Sequence, residues 1–370
     1  MTDTVHEAPV DQPSISATGI VDVDIHPSLP RPDALMPYLS ERWRRHTEVY
    51  GTRTHTGWAY ESNYPPYQGR GLRADAWPES GPPGSDLDLM REQLLDPFGI
   101  EFGVLDALDV AAGQLNQEYA AALARALNDF QLEHFVDPEP RLKLAMVVPY
   151  ESPDLSAAEI ERIAGHPGVV SVFLMAQSLE PFGRRRYWPI YEAAVAHDLP
   201  VLIHLSSGGG HPNTPNGWGS YHTEYHIAHV QCFQAQFLSL ICEGVFERFP
   251  TLKVIMAEGG IAWIPAMLRR LDYHWERLRT ELPNLHRRPS EYVDDHLWIA
   301  TQPLDEPDDP RHLIELFEEL GVGNILFSTD YPHFDFDSPT LALPKALRPE
   351  IRARIMRDNG VELFGLARGG

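Results

Sequence analysis

Ile20-Val21-Asp22-Val23-Asp24-Ile25-His26 reads as one short strand that ends on two chemistry-bearing side chains. Residues two apart on a strand share a face, so Asp24 and His26 point the same way. Three more apolar runs end similarly: Val201-Leu202-Ile203 runs into His204, Leu252 to Met256 leads to Glu258, and Ile325-Leu326-Phe327 leads to Asp330. A (β/α)8 barrel builds its active site this way, from the ends of several parallel strands. A buried Asp beside a His in such a place needs a counter-charge, and a divalent metal supplies one.

Working outward, eight strands are expected at 20–26, 100–106, 142–149, 169–175, 200–205, 252–257, 297–301 and 324–329. Helical patterns lie between most of them, at 114–135, 155–165, 187–197, 223–248, 261–281, 308–320 and 345–358. Gly321 looks like the stop of the helix before the last strand. The pattern predicts an α/β chain, with a single (β/α)8 TIM barrel over 19–368 and a disordered polar tail over 1–18. A long insert, 27–99, follows the first strand. Its turn-prone Tyr64-Pro65-Pro66-Tyr67 and Gly81-Pro82-Pro83-Gly84 and its aromatics suit a cover over the barrel mouth or an oligomer contact.

The 370 residues carry a formal charge of −23, which argues against nucleic acid or an anionic membrane surface as partner. No apolar stretch approaches the roughly 20 residues of a membrane helix, and the tail lacks the basic start and apolar run of a signal peptide. Cys232 and Cys242 fall in one predicted helix, about 15 Å apart along its axis. They cannot bridge each other, so no disulfide framework is expected and a reducing cytoplasm fits.

His204 is either a metal ligand or a core histidine held by hydrogen bonds. Asp330 stands where a carboxylate can bind metal, hold a metal-bound water or take its proton. His333, three residues on, is placed to bind substrate or to orient Asp330.

Asp24-x-His26, His204 and Ser328-Thr-Asp330-Tyr-Pro-His333 resemble the motifs of the amidohydrolase-related metal-dependent family that includes aminocarboxymuconate semialdehyde decarboxylase and other nonoxidative decarboxylases. Gly244-Val-Phe-Glu-Arg-Phe-Pro-Thr-Leu-Lys-Val-Ile255 and the segment from Gly259-Gly260 through Trp263-Ile-Pro265 to Arg270-Leu-Asp272 are similar as well. The resemblance spans roughly residues 20–365. It implies a barrel with a divalent metal at its C-terminal mouth, held by Asp24, His26, His204 and Asp330.

One departure matters. The resembled decarboxylases carry a proton-transferring His at the end of the sixth strand, and this chain has Glu258 there. Glu258 can serve as general acid/base or as another ligand. The oxygen-rich donor set suits Fe or Mn at least as well as Zn, as one ion or two. His222, His226 and His229 share one face of a predicted helix, so His226 or His229 can complete a second ion or merely pack on the barrel. Arg184, Gln177, Gln302 and Tyr221 are candidates to bind substrate, with Thr301 on the rim, and Ser206 to Gly210 is a glycine-rich loop. Asp106 and Tyr150 end the second and third strands without an assigned role.

The sequence therefore predicts a metal-dependent enzyme acting on a small organic, carboxylate or cyclic, substrate by hydrolysis or nonoxidative decarboxylation. Glu258, Asp330 and His333 are its catalytic candidates. A dinuclear Fe or Fe/Mn oxygenase on the same scaffold is the alternative, and an inactive partner subunit the third reading. A homo-oligomer, or a hetero-oligomer with a related subunit, is expected.

Overall fold

The computed structural model describes residues 19–51, 71–108, 114–205, 212–304 and 307–366. The expected tail 1–18, the Ser206–Gly210 loop and part of the insert lie outside the described residues.

Eight parallel strands run in sequence order around one sheet: β1 Ile20–Ile25, β2 Ile100–Leu105, β3 Leu142–Val147, β4 Val169–Met175, β5 Val201–His204, β6 Val254–Ala257, β7 Leu297–Ala300 and β8 Ile325–Leu326. Most of their residues are buried, as expected where helices cover the outer face and side chains fill the inside. The seam between β1 and β8 closes through Val23 N–H to the Phe327 carbonyl (3.1 Å) and Asp330 N–H to the Asp24 carbonyl (3.1 Å).

β8 is shorter than the sequence pattern predicts, and the reason lies just beyond it. The Thr329 N–H and hydroxyl both donate to Asp22, at 3.0 and 2.6 Å, and Asp330 turns into left-handed backbone at φ 60°. The chain therefore leaves the ladder to bind a side chain of β1.

The longer helices are α1 Glu41–Tyr50, α2 Gln117–Gln131, α3 Pro153–Ile163, α4 Trp188–Ala196, α5 His222–Ala228, α6 Val230–Cys242, α7 Trp263–Arg277 and α8 Pro310–Leu320. Local chemistry sets their limits. Asn116 accepts from the Tyr119 N–H to start α2, and Asp309 accepts from the Arg311 N–H to start α8, which stops at Gly321 with φ 83°. The long helix expected over 223–248 is interrupted at His229 and again after Cys242, where Gly244 takes φ 75°.

The described part of the insert packs into the barrel's hydrophobic core through Met90, Leu94 and Leu95, and its Ala76 is fully buried as well. Leu72 pairs antiparallel with His333, and the Arg73 N–H donates to the Pro332 carbonyl at 2.9 Å. Gly84, at φ +80°, lies against the backbone of His26, whose carbonyl oxygen a Cβ at position 84 would strike.

At the opposite, N-terminal end of the strands, charges are matched. Arg357 grips Glu101 through two bonds of 2.6 and 2.9 Å. Glu139 lies between Arg141 (2.8 Å) and Arg91 (2.9 Å), and Arg141 reaches Asp96 as well.

Candidate metal centre

β1 delivers Asp24 and His26 to the C-terminal mouth on one face, with Asp22 one layer below. Asp106 follows β2, His204 closes β5, Glu258 follows β6 and Asp330 follows β8. Glu258 and Asp330 both adopt φ 60°, in a region that residues other than glycine enter rarely. Such conformations collect at functional sites, where they aim a side chain that regular strand geometry would send elsewhere.

The donor atoms converge. His26 Nε2 lies 3.1 Å from Asp24 Oδ1 and 2.9 Å from Asp330 Oδ1. His204 Nε2 lies 3.3 Å from Asp24 Oδ1, 3.2 Å from Glu258 Oε2 and 4.0 Å from Asp106 Oδ2. Donor atoms of Asp24, His26, Asp106 and His204 all lie within 4.8 Å of one another, and those of His26, Asp330 and His333 form an overlapping group.

The tautomers are fixed from outside. His26 Nδ1 donates to the Asp106 carbonyl at 2.9 Å, and His204 Nδ1 donates to the Leu205 carbonyl at 2.6 Å. With Nδ1 carrying the proton, each neutral ring turns the lone pair of Nε2 towards the carboxylates. His26 Nε2, His204 Nε2, both Asp24 oxygens, Asp106 Oδ2 and Glu258 Oε2 are all buried without a hydrogen-bond partner. Lone pairs facing lone pairs in a dry cavity repel unless a cation sits between them, so these residues fit a divalent ion.

The charge balance points the same way. Burial and the charge of Asp330 push the Glu258 carboxyl well above its usual range, and burial with the Asp24 charge does the same to Asp106. Burial alone would also lift Asp24, but His204 and His26 hold it well below the carboxylate range. Left to themselves, the groups meet the excess of negative charge by sharing protons; a cation replaces those protons.

His333 donates through Nδ1 to Asp330 Oδ1, and Gln302 Nε2 donates to Asp330 Oδ2 at 3.1 Å. On the β5–β6 side, His226 Nε2 lies 3.3 Å from Asp335 Oδ2 and 3.7 Å from Glu258 Oε1. His229 is buried beside it with neither ring nitrogen hydrogen-bonded, and burial among His226, His204 and His222 pushes it down to about 3.

The remaining candidates lie apart from these donor groups. Arg184 is half-exposed and pairs with Glu243 at 3.0 Å. Tyr221 caps the start of α5 and is exposed. Gln177 is buried beyond β4, where its carbonyl accepts from the Tyr150 hydroxyl at 3.0 Å.

Sequence reasoning left Asp106 without a role and missed Asp335 altogether. Asp106 follows β2 just as His204 closes β5, and that positional signal was available. Asp335 lies in the loop after β8, and no periodicity marks it.

A barrel with metal-binding donors at its strand ends defines a class, and the family follows from the sequence. Residues 21–366 match the family model described as amidohydrolase, and the chain belongs to that family, as a metal-dependent enzyme of the amidohydrolase superfamily. It is similar to a γ-resorcylate decarboxylase from a Polaromonas species, 26% identical over 279 residues that make up 70% of this chain and 82% of that enzyme. A 2-amino-3-carboxymuconate-6-semialdehyde decarboxylase from Dictyostelium discoideum is 25% identical over 255 residues, 66% of each chain. Among solved structures, a dihydroxybenzoic acid decarboxylase from Polaromonas with bound manganese and the inhibitor 2-nitroresorcinol matches with a TM-score of 0.66 at 21% identity, over 95% of this chain and 98% of that one. Among the described residues, no helix is long and apolar enough to cross a membrane.

Proposed function

We propose that this chain is a metal-dependent carboxy-lyase acting on a small cyclic or aromatic carboxylate, with Asp24, His26, His204 and Asp330 holding a divalent ion. Manganese in a related decarboxylase and the mixed imidazole–carboxylate donors support Mn or Fe over a thiophilic metal. The observation that carries the reading is the set of buried, unpartnered donor atoms of Asp24, His26 and His204, with His333 hydrogen-bonded to Asp330 beside them.

A bound divalent ion supplies Lewis acidity towards a substrate oxygen. His333 supplies the proton. Asp330 takes the Nδ1–H of His333, which orients the ring and leaves Nε2 as the exchanging position. When the bond between the ring carbon and the carboxylate breaks, its electron pair stays on carbon, which takes the His333 proton as CO2 leaves. Water then reprotonates His333. Asp106 holds the His26 tautomer through its carbonyl.

The described residues of the insert are proposed to cover the barrel mouth; the Leu72–His333 pairing and the contact of Gly84 with His26 support this. The free Cys232 and Cys242 agree with a reducing cytoplasm. The exposed Tyr221, at the start of α5, and Ile227 on it offer apolar area for self-association, which sedimentation measures directly.

Mn-loaded protein, incubated in D2O with a panel of hydroxybenzoates and related carboxylates, is expected to release CO2 and place one deuterium at the vacated carbon. Hydrolysis products, or no CO2 from any member, overturn the reading. One observation favours a second reading, a dinuclear oxygenase: Glu258 makes the mouth richer in carboxylate than the resembled decarboxylase pattern. Substrate-dependent O2 uptake selects it.

A further inference from the structure

The third donor group at the mouth, His226, Glu258 and Asp335, has no part in the single-ion mechanism. We propose that it is a second divalent-metal site, with Glu258 bridging it to the first. The inference rests on the first-site reading above and extends it.

Geometry comes first. One ligand atom from each of His226, Glu258 and Asp335 lies within 4.8 Å of the others. Donors about 2.1 Å from one ion stand about 3–4 Å apart. The 3.3 Å between His226 and Asp335 and the 3.7 Å between His226 and Glu258 already match that spacing.

Glu258 divides its oxygens between the two groups. Oε2 faces His204 of the first group at 3.2 Å, and Oε1 faces His226 of the second at 3.7 Å. Its side chain is 5% exposed, and Oε2 has no hydrogen-bond partner. A carboxylate split this way suits two ions about 3.5–4 Å apart, the usual spacing of two-metal sites. Both Asp335 oxygens are likewise buried and unpartnered.

Charge supplies the independent argument. Asp24, Asp106, Glu258, Asp330 and Asp335 crowd the mouth, and their ion pairs among the described residues are with histidines, never with Lys or Arg. One divalent ion leaves most of that charge buried and uncompensated; two ions balance four of the five carboxylates. The class of ligand is a first-row divalent ion that accepts one imidazole and carboxylate oxygen, Mn(II) or Fe(II).

The test counts ions. Chelator-stripped protein is reloaded with Mn(II), freed of unbound metal, and assayed for manganese per chain by mass spectrometry and for spin coupling by electron paramagnetic resonance. Two ions per chain with a spin-coupled signal are expected for the parent protein. His226→Ala and the near-isosteric Asp335→Asn are each expected to leave one ion with an uncoupled six-line signal, at unchanged circular dichroism. One uncoupled ion in the parent protein overturns the second site and leaves the first standing. No bound ion overturns both readings. Two coupled ions retained in both variants overturn the assignment of His226 and Asp335.

Discussion

At the N-terminal end of the barrel, every acidic group of the Glu101 and Glu139 clusters meets an arginine: Glu101 meets Arg357, Glu139 meets Arg141 and Arg91, and Asp96 meets Arg141. At the C-terminal mouth, five carboxylates form ion pairs only with imidazoles among the described residues, and the buried atoms of Asp24, His26 and His204 that face one another lack hydrogen bonds. Both ends are built from the same parallel strands with the same kinds of side chain. The difference is compensation: one end closes its charge within the chain and serves stability, and the other leaves it for a cation and serves chemistry.

The sharpest way to break this contrast is at the mouth. His204→Ala is expected to remove the first ion and cut turnover at least about 1,000-fold, equivalent to roughly 4 kcal/mol of barrier, with manganese content measured alongside kcat. Full activity without metal would end the distinction between the two regions. At the opposite end, Arg357→Ala strands Glu101 and is expected to cost about 3 kcal/mol in denaturant unfolding, with manganese content and kcat unchanged. Loss of metal from that variant would show that the ends are not independent.

Chelation sharpens the comparison further. An ion at one hundred times its Kd stabilises the folded chain by about 2.7 kcal/mol. Stripping metal should therefore lower Tm in the parent protein and in Arg357→Ala, and by less in His204→Ala, which has already lost the first ion. The smallest effect concerns pH. Hydrogen bonds from Arg141, with help from Arg91, hold Glu139 below its ordinary 4.5, at about 2. A depressed carboxyl stabilises fully above its unfolded value, so this contribution is present above pH 4.5 and fades as pH falls towards 2. Glu139→Gln is expected to cost about 2 kcal/mol at pH 7 and to flatten that stretch of the acid limb, read by urea titration at several pH values.

Much of this was legible in the sequence because barrel strands announce themselves. Runs such as Val201-Leu202-Ile203 are apolar throughout, being covered on both faces, and the residue that ends each run sits at the mouth by construction. Asp24, His26, His204, Glu258 and Asp330 could be picked out on that basis. Asp335 could not, because it depends on the path of the chain after β8; His226 and His229 were both candidates on their helix face, and which of them faces Glu258 depends on how α5 leans over the barrel. The same limit shortened β8: the pull of Thr329 towards Asp22 is a contact between residues 307 apart in sequence. Arg184 shows another side of this limit. An arginine run beside a strand loop suggests an anion clamp, and the fold pairs the Arg184 guanidinium with Glu243, a partner that no spacing in the sequence marks.

The left-handed backbone at Glu258 and Asp330 also constrains what this chain can become. Valine, isoleucine and threonine are poorly tolerated at φ 60°, so random substitution at either position is filtered before function is ever consulted. The replacements the backbone accepts most readily are glycine, asparagine and aspartate, of which two keep an oxygen donor pointing into the mouth. Descendants of this protein can lose a charge there far more easily than they can acquire a branched hydrocarbon. The backbone thereby preserves a polar cavity through neutral drift, ready to be retuned for another ion or another substrate.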